Sequence, residues 1–333
     1  MPNDNISMRN ISLRAAVIGI HECAQKHGVS VYVVGGAVRD LLLGEAPDDP
    51  DLDVVVDGDG RAMARELAAK WQSEIKLHDK FLTAKLLGPF NVTTVAGSVG
   101  SETLSEIDIT TSRTEIYSVP GALPTVKPAP IEDDLGRRDF SINSMALTLT
   151  DFELILLDGR REEGLKRILD PFNGQGALKS RTIKVLHARS FIDDPTRLFR
   201  AVRYRVRLAG SLDPECDTRF RDAIEGGALK TISHARVFNE VRAALNEVDP
   251  GAAIGEYQAR GLFSHCQVLA HGAAGQEQLA ALHRLSTLAE PHDVKCQLGW
   301  GIILRSLEER GAVELIKQTP LSKRERKEFM GLR

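Results

Sequence analysis

The amino-acid sequence predicts an α+β protein in which a mixed domain of strands and helices precedes an all-helical region. Over the first half of the chain, short β-branched and aromatic runs alternate with helical patterns. After about residue 180 the strand signals fade, and helical patterns dominate. With 333 residues and 42% apolar content, the chain can bury one large core or two moderate ones.

Local patterns predict the elements of the mixed domain one by one. Apolar residues at helical spacing indicate helices, β-branched runs indicate strands, and glycines mark the turns. In chain order the predicted elements are a helix at Ala16–Ala24 that ends at Gly28, a strand at Val31–Val34, a turn at Gly35-Gly36, a helix at Ala37–Leu43, a strand at Leu52–Val56, a helix at Arg61–Trp71, and strands at Ala84–Leu87, Asn91–Val95 and Ile107–Ile109.

The rest of the chain contains a loop followed by helices. Tyr117–Pro130 holds four prolines and is predicted to be an irregular loop. Helical patterns then cover Pro195–Leu208 and Ala235–Leu245. The sequence stops inside a further helical pattern, which leaves open whether a C-terminal tail follows.

Composition narrows the class of protein. No run approaches the roughly 20 apolar residues that cross a bilayer, and Met1–Arg14 lacks an apolar signal segment. A cytoplasmic protein with no membrane association is therefore expected. The cysteines are far apart and form no CxxC pair, so reduced thiols are expected rather than a disulfide framework or a zinc site; they are Cys23, Cys216, Cys266 and Cys296.

Charge is unevenly distributed. The net charge of −3 argues against a nucleic-acid partner, since such proteins usually carry a basic surplus. Acidic residues crowd Glu45–Asp59, however, while arginines crowd Arg197–Arg207. This pattern fits an acidic metal site beside a basic groove, and it fits an ordinary solvated surface equally well.

Asp51-Leu52-Asp53 stands at the start of a predicted strand. Residues i and i+2 of a strand face the same side, so both carboxylates are expected to point the same way. Adjacent carboxylates repel one another, and a divalent cation relieves that repulsion. Hard oxygen ligands favour Mg²⁺, bound by one or two carboxylates together with substrate phosphates. Taken alone, an Asp-x-Asp motif is more often a solvated acidic loop.

The residues before this pair make a phosphate site more specific. Gly35-Gly36 leads into a helix whose free N–H groups can hold a triphosphate. No Gly-Lys-Ser/Thr follows, which excludes a P-loop, and no GxGxxG stands there, which excludes the dinucleotide fingerprint.

Several motifs together indicate a known family. The chain closely resembles the head of class II tRNA nucleotidyltransferases and bacterial poly(A) polymerases, members of the polymerase-β-like nucleotidyltransferase superfamily. The matching segments, in the family's order, are Val33–Asp40 with Asp51-Leu52-Asp53, Asp134–Ala146, Asp170-Pro171-Phe172 and Asp193–Tyr204. The resemblance implies a catalytic head over residues 1–150, a neck with a nucleotide-selecting helix over 151–211 and a helical body over 212–333.

The resemblance also implies roles for residues of the head. Asp51 and Asp53 are expected to hold the catalytic metals, and Asp108 to be a third carboxylate near the primer 3′-hydroxyl; a strand-edge aspartate is an equal alternative for Asp108. The residues expected to contact the nucleotide are Gly35, Gly36, Arg39, Arg137, Arg138, Asp139 and Asn143. For Arg137-Arg138-Asp139, a charged strand-to-helix junction is the alternative.

The helix after Pro195 is expected to choose the base. Cytosine and adenine both present an exocyclic amine beside a ring-nitrogen acceptor, which a carboxylate and an arginine can match. Asp194 and Arg197 have suitable spacing for this, and the family usually has Glu where Asp193 stands. Arg200 and Arg203 continue an arginine stripe that is expected to face an anion. A capped helix with a solvated arginine stripe is the alternative.

The implied activity is addition of C and/or A, from CTP and ATP, to the tRNA 3′ acceptor end without a nucleic-acid template. Val56–Gly60, His78–Ala84 and Pro120–Pro124 resemble the branch in which separate enzymes add CC and A. A poly(A) polymerase shares every motif, and a catalytically silent RNA-binding module is a rival from another class. His292-Asp293 alone does not indicate a phosphohydrolase. The oligomeric state is left open.

Overall fold

The computed structural model describes residues 9–44, 51–88, 90, 106–266, 275–288, 292–305, 316 and 326–327. The chain folds into two compact units. The N-terminal unit comprises Met1–Ile116 and Pro124–Lys179, and the helical unit comprises Tyr117–Leu123 and Ser180–Arg333. The predicted boundaries of head, neck and body at residues 150 and 211 stay a prediction.

The N-terminal unit contains alternating helices and strands. They are α1 Arg9–His27, β1 Ser30–Val34, α2 Gly36–Leu43, β2 Asp51–Asp57, α3 Gly60–Trp71, β3 Glu74–His78, β4 Thr83–Leu87, β5 Glu106–Thr111, β6 Arg113–Ile116, β7 Thr125–Pro128, α4 Ile131–Gly136, β8 Ala146–Thr148, α5 Leu149–Leu156, α6 Arg161–Leu165 and α7 Gly174–Lys179.

A mixed sheet is the centre of this unit. Within the described residues its strand order is β3-β4-β5-β2-β1-β8, with β2 and β5 parallel and the other neighbours antiparallel. Val54, Val55 and Val56 of the interior strand β2 are all buried, so the second half of this strand is apolar on both faces of the sheet. Ile20 of α1 and Leu67 of α3 are also buried in this core. The predicted mixed fold class is confirmed.

The helical unit contains α8 Ser190–Asp193, α9 Thr196–Arg207, α10 Pro214–Glu225, α11 His234–Leu245, α12 Pro250–Ala259, α13 Gln276–Leu285 and α14 His292–Arg305, together with the short strands β9 Thr182–Ile183 and β10 Ser211–Leu212. Aromatic contacts mark its core. Phe199 meets Tyr257 edge to face at 5.1 Å, and Phe238 stacks on Trp300 at 4.2 Å between ring centres.

Three expectations about elements need comment. The irregular loop predicted at Tyr117–Pro130 is wrong for Thr125–Pro128, which pairs with β6; Pro128 ends its strand, where a missing N–H is tolerated. The region after residue 180 is not wholly helical, because β9 and β10 form a short parallel pair. The predicted strand Asn91–Val95 lies outside the described residues.

In the described part of the chain, no helix combines the length and the apolar content that crossing a membrane requires.

Candidate functional site

The turn between β1 and α2 requires glycine. Gly35 has a φ of +69°, a backbone conformation that residues other than glycine rarely adopt. Its N–H donates to the carbonyl of Met145 at 3.2 Å, and its own carbonyl accepts from the N–H of Arg39 at 3.1 Å. A Cβ on Gly35 would stand 3.1 Å from Nη1 of Arg138. The backbone here is therefore held close to a guanidinium group.

Three of the residues predicted to contact the nucleotide form one buried network behind this turn. Arg39 is only 3% exposed, and its Nη1 donates to Oδ1 of Asn143 at 2.8 Å. Nδ2 of Asn143 donates in turn to Oδ1 of Asp139 at 3.0 Å. Asp40 accepts from Nε of Arg39 at 2.7 Å. The network fixes the start of α2 relative to the short 3₁₀ helix Ser141–Asn143.

The predicted carboxylates lie on two neighbouring strands. In the parallel pairing of β2 with β5, Asp53 stands opposite Asp108 and Asp51 stands opposite Glu106. Opposed residues of paired strands carry their side chains on the same face, so Asp53 and Asp108 line one cleft of about 350 Å³. The side chain of Asp51 lies outside the described part of the structure. The register thus brings Asp108 to the cleft that Asp53 lines, and its catalytic role stays a prediction.

A lysine that sequence reasoning missed lies in the same cleft. Lys85 of β4 stands opposite Asp108, and its Nζ lies 3.2 Å from Oδ2 of that residue. It also pairs with Glu106. The only feature of the sequence that marks Lys85 is its position as a polar residue between the apolar Ala84 and Leu86 of a strand.

Burial and charge act in opposite directions on this pair. Burial raises the pKa of Asp108, and the nearby ammonium of Lys85 offsets only part of that rise. Burial likewise disfavours the charged form of Lys85, but its hydrogen bond to Glu106 and the charge of Asp108 raise its pKa overall. Lys85 therefore stays a cation beside the acidic strands.

Arg137 and Arg138 also line the cleft and share a buried carboxylate. Asp134, which is 0% exposed, accepts from Nη2 of Arg137 at 2.8 Å and from Nη2 of Arg138 at 2.9 Å. Glu115 accepts from Nη1 of Arg137 at 2.8 Å. Nε of Arg138 is buried and has no hydrogen-bond partner within the described residues. The lining of the cleft therefore combines carboxylates with guanidinium groups.

A second cluster of predicted residues lies in the helical unit. Asp194 precedes Pro195 and α9, and its Oδ1 accepts from the N–H of Thr196 at 3.0 Å, its hydroxyl at 2.6 Å and Nη2 of Arg236 at 2.5 Å. Its Oδ2 accepts no hydrogen bond from the residues that the structure describes. Arg236 thus fixes the carboxylate and leaves one oxygen for a further donor.

Arg197, which is 5% exposed, is held in place by contacts with α8 and with the loop before it. Its Nη1 donates to Oγ of Ser190 at 2.6 Å and lies 3.4 Å from Nε2 of His187. Burial, and after it the charge of Arg197, lowers the pKa of His187, so this imidazole is neutral and can accept. Asp193 pairs instead with Arg189.

The arginine stripe on α9 finds its partners within the chain. Arg203 lies 3.4 Å from Glu240 and 3.5 Å from Glu247, and Arg207 donates to Glu247 at 2.8 Å. Arg200 donates to the hydroxyl of Tyr204 at 3.2 Å. The anionic groups expected opposite this stripe are therefore, for Arg203 and Arg207, carboxylates of the chain itself. A nucleotide contact for Arg200 and Arg203 stays a prediction.

Comparison with known proteins identifies the domain around the cleft. Residues 31–184 match the model of the poly A polymerase head domain. This domain belongs to that family.

Curated relatives carry the likeness beyond the head domain. An A-adding tRNA nucleotidyltransferase of Geobacter sulfurreducens is 37% identical over 232 residues, which are 70% of this chain and 23% of that protein. A CC-adding tRNA nucleotidyltransferase of Deinococcus radiodurans is 35% identical over 252 residues, which are 76% of this chain and 57% of that protein. The chain thus spans less than two thirds of the length of these relatives.

Solved structures share the fold over nearly the whole chain. A tRNA-processing enzyme in an apo form has a TM-score of 0.70 at 25% identity, covering 96% of this chain and 77% of that one. A tRNA nucleotidyltransferase complexed with a primer tRNA and an incoming ATP analog has a TM-score of 0.67 at 26% identity, covering 94% and 83%. The predicted family and the predicted α+β class are both confirmed.

Proposed function

We propose that the protein is a template-independent nucleotidyltransferase that adds C and/or A, from CTP and ATP, to the 3′ acceptor end of tRNA. One observation carries the proposal. Asp53 and Asp108 stand opposite each other in a cleft that two arginines also line, within a domain of the poly A polymerase head family. Transfer of a nucleotidyl group needs metal-binding carboxylates beside a site for phosphate charge, and the cleft offers both.

The chemistry of the donors fits Mg²⁺. Asp51 and Asp53 would hold the ion, because carboxylate oxygens are hard ligands and their positions on β2 are two residues apart. Bound there, Mg²⁺ would supply charge neutralisation for an in-line phosphoryl transfer that releases pyrophosphate. Asp108 faces the same cleft from β5 and would orient the attacking 3′-hydroxyl. Lys85 holds the Asp108 carboxylate through its 3.2 Å contact.

Positive and N–H groups supply the phosphate side. The guanidinium groups of Arg137 and Arg138 are held in place by Asp134, so they are preorganised before a triphosphate arrives. The buried Nε of Arg138, which lacks a partner among the described residues, is a donor that a phosphate oxygen would satisfy. The glycine turn at Gly35-Gly36 brings backbone N–H groups beside the same arginine.

Base selection is assigned to Asp194 and Arg197. Oδ2 of Asp194 would accept from the exocyclic amine that cytosine and adenine share. Arg197 would donate to the neighbouring ring nitrogen, held there by Ser190. Uracil and guanine reverse this pattern and would leave buried groups unpaired, at roughly 1–3 kcal/mol each.

Three curated relatives favour A addition. Relatives from Geobacter sulfurreducens, Halalkalibacterium halodurans and Aquifex aeolicus are named A-adding enzymes and are 37%, 35% and 36% identical to this chain. The Deinococcus radiodurans relative is named a CC-adding enzyme. Because the matching family is described as the poly A polymerase head domain, poly(A) synthesis is the rival activity.

One assay separates these activities. Purified protein with Mg²⁺ is given labelled tRNA ending at the discriminator base, after one C or after CC, with CTP and ATP singly and together. An A-adding enzyme extends only the CC-ended tRNA, by a single A, whereas a CC-adding enzyme stops after two C residues. Long A tails on an unstructured RNA would instead establish a poly(A) polymerase. No incorporation on any RNA would refute the proposal and leave a silent RNA-binding module; Asp53→Ala provides the inactive control.

A further inference from the structure

A group of side chains suited to a metal ion lies where α1 packs against α3, away from the residues that line the cleft. Among the described residues, Cys23, His27 and Glu66 bring one ligand atom each within 4.8 Å of one another. Cys23 and His27 are four positions apart on α1 and therefore share a face. Glu66 on α3 completes the group, with its Oε2 at 2.9 Å from Nε2 of His27.

We propose that these three residues form a binding site for a borderline-soft divalent cation of the zinc type, with water as the fourth ligand. Thiolate sulfur and imidazole nitrogen suit Zn²⁺ far better than Mg²⁺, and three protein ligands with one open position form a common tetrahedral set. The site is thus chemically distinct from the carboxylate pair at the cleft, which has only hard oxygen donors.

The distance between the two partly exposed ligands fits an ion after a small movement. A tetrahedral ion about 2.0–2.1 Å from both N and O separates those two atoms by roughly 3.4 Å. Nε2 of His27 and Oε2 of Glu66 are 2.9 Å apart, so this pair must open by only about half an ångström. Rotation of the partly exposed imidazole and carboxylate supplies such a movement, because neither side chain is locked in the core.

The neighbouring residues determine how deeply the site is buried and how many oxygen atoms of Glu66 can bind the ion. Cys23 is 5% exposed and forms the floor, whereas the His27 and Glu66 side chains are 32% and 35% exposed and leave a path from solvent. Nζ of Lys26 binds the other oxygen of Glu66, Oε1, at 2.7 Å. Lys26 therefore presents Oε2 as a single ligand atom and keeps the carboxylate from binding in a bidentate manner.

A cation would also convert the thiol to a thiolate. In the metal-free protein, burial and then the charge of Glu66 raise the pKa of Cys23. Zn²⁺ binding displaces this proton and forms the thiolate. The expectation from the sequence that the cysteines form no zinc site rested on the missing CxxC spacing. That criterion cannot detect a set whose third ligand stands 39 positions beyond the second.

Cobalt provides a direct test, since Co²⁺ replaces Zn²⁺ and gives a charge-transfer absorption band only when a thiolate binds it. The metal-stripped full chain is titrated with Co²⁺ in the presence of excess Mg²⁺, which occupies the cleft. We expect the thiolate band to saturate at one equivalent, Zn²⁺ to abolish it, and the midpoint of thermal unfolding to rise with Zn²⁺.

Matched variants identify the ligands. Cys23→Ser and His27→Ala should lose the band or weaken Co²⁺ binding at least about tenfold, whereas Cys216→Ser, at another buried cysteine, should keep it. Circular dichroism checks that each variant is folded. If Cys23→Ser does not fold, Glu66→Gln is used in its place to test the site. Absence of the band in the wild type, or its persistence in Cys23→Ser, would overturn the proposal. Nucleotide incorporation with Mg²⁺ should be unchanged in His27→Ala, so the test is independent of the proposed activity.

Discussion

Replacing Asp134 by asparagine would remove the negative charge that holds the two arginines of the cleft. Asp134 lies on α4 and is fully buried against the two arginines, and the substitution keeps its shape. The new amide can accept from Arg137 but presents a second donor towards Arg138. We therefore expect Asp134→Asn to destabilise the N-terminal unit and to raise the KM for the nucleoside triphosphate.

The structure sets the size of the effect. Breaking a buried ion pair by removing one partner costs about 3–5 kcal/mol, because the remaining charge is left uncompensated. Arg137 keeps its 2.8 Å contact with Glu115, whereas Arg138 loses the carboxylate that it holds at 2.9 Å. We expect a loss near the lower end, about 3 kcal/mol. The exposed pair of Arg160 with Glu163 gives a matched control, since Glu163→Gln should cost less than about 1 kcal/mol.

The dependence on pH has a definite sign. Burial alone would raise the pKa of Asp134, but the charges of Arg138 and Arg137 outweigh it and lower the pKa. A folded-state pKa below the unfolded value gives stabilisation that is fully present above the unfolded pKa and is lost as the pH falls through the folded one. The difference in the free energy of unfolding between wild type and Asp134→Asn should therefore shrink with acidification.

Fluorescence can follow this unit alone. The two tryptophans, Trp71 and Trp300, lie in different units, so a Trp300→Phe background leaves Trp71 as the reporter of the N-terminal unit. Urea unfolding of wild type, Asp134→Asn and Glu163→Gln in this background, at neutral and acidic pH, gives the required free energies. A cost for Asp134→Asn no larger than that for Glu163→Gln, or a difference that grows in acid, would refute the reasoning.

Four further predictions concern the metal site, base selection, the stability of the glycine turn and the binding of tRNA. Asp53→Ala should abolish incorporation yet leave the affinity for tRNA nearly intact; activity near wild type would contradict the metal assignment. Asp194→Ala should admit UTP or GTP at a loss of roughly 1–3 kcal/mol of discrimination in single-nucleotide kinetics, and unchanged rejection would move base selection elsewhere. Gly35→Ala should cost about 1–3 kcal/mol in urea unfolding, because its Cβ would strain a positive φ beside Arg138; a stability equal to wild type would be inconsistent with this. Despite a net charge of −3, tRNA affinity should fall steeply between low and moderate salt, and a flat response would exclude phosphate contacts as its source.

Local patterns were sufficient for the elements that bear the site. Gly28 and Gly35 both have positive φ where the sequence predicts a helix end and a turn, because only a residue without a side chain adopts that backbone easily. The β-branched runs of β1 and β2 became paired strands in the sheet. The short strands β9 and β10 escaped notice, because two residues carry no periodicity.

The partners of the site residues were beyond local pattern. Register between β4 and β5 places Lys85 against Asp108, and no spacing along the chain contains that information. Arg236 lies in a segment that the sequence predicts only to be helical; Ser233 does cap α11, but the same arginine also binds Asp194 from 42 positions away. Likewise, the carboxylates that pair with Arg203 and Arg207 come from α11 and from the segment after it, so charge repulsion within one helix was no guide to a ligand.

The tip of the β6–β7 hairpin belongs to the helical unit although both of its strands belong to the other. Gly121 at this tip donates to the carbonyl of Asp193 at 3.2 Å and accepts from Nη1 of Arg236 at 3.0 Å. A Cβ on Gly121 would overlap the hydroxyl of Thr231.

This arrangement determines the order in which the parts of the chain can fold during synthesis. Domains fold as they leave the ribosome, N-terminal parts first, and the N-terminal unit is complete once residue 179 has emerged. At that moment the hairpin tip has none of its partners, because Asp193, Thr231 and Arg236 are still to be made. The backbone groups of the tip therefore stay hydrogen-bonded to water until those residues emerge. The nascent protein passes through a stage in which the N-terminal unit is finished while its hairpin tip is still undocked.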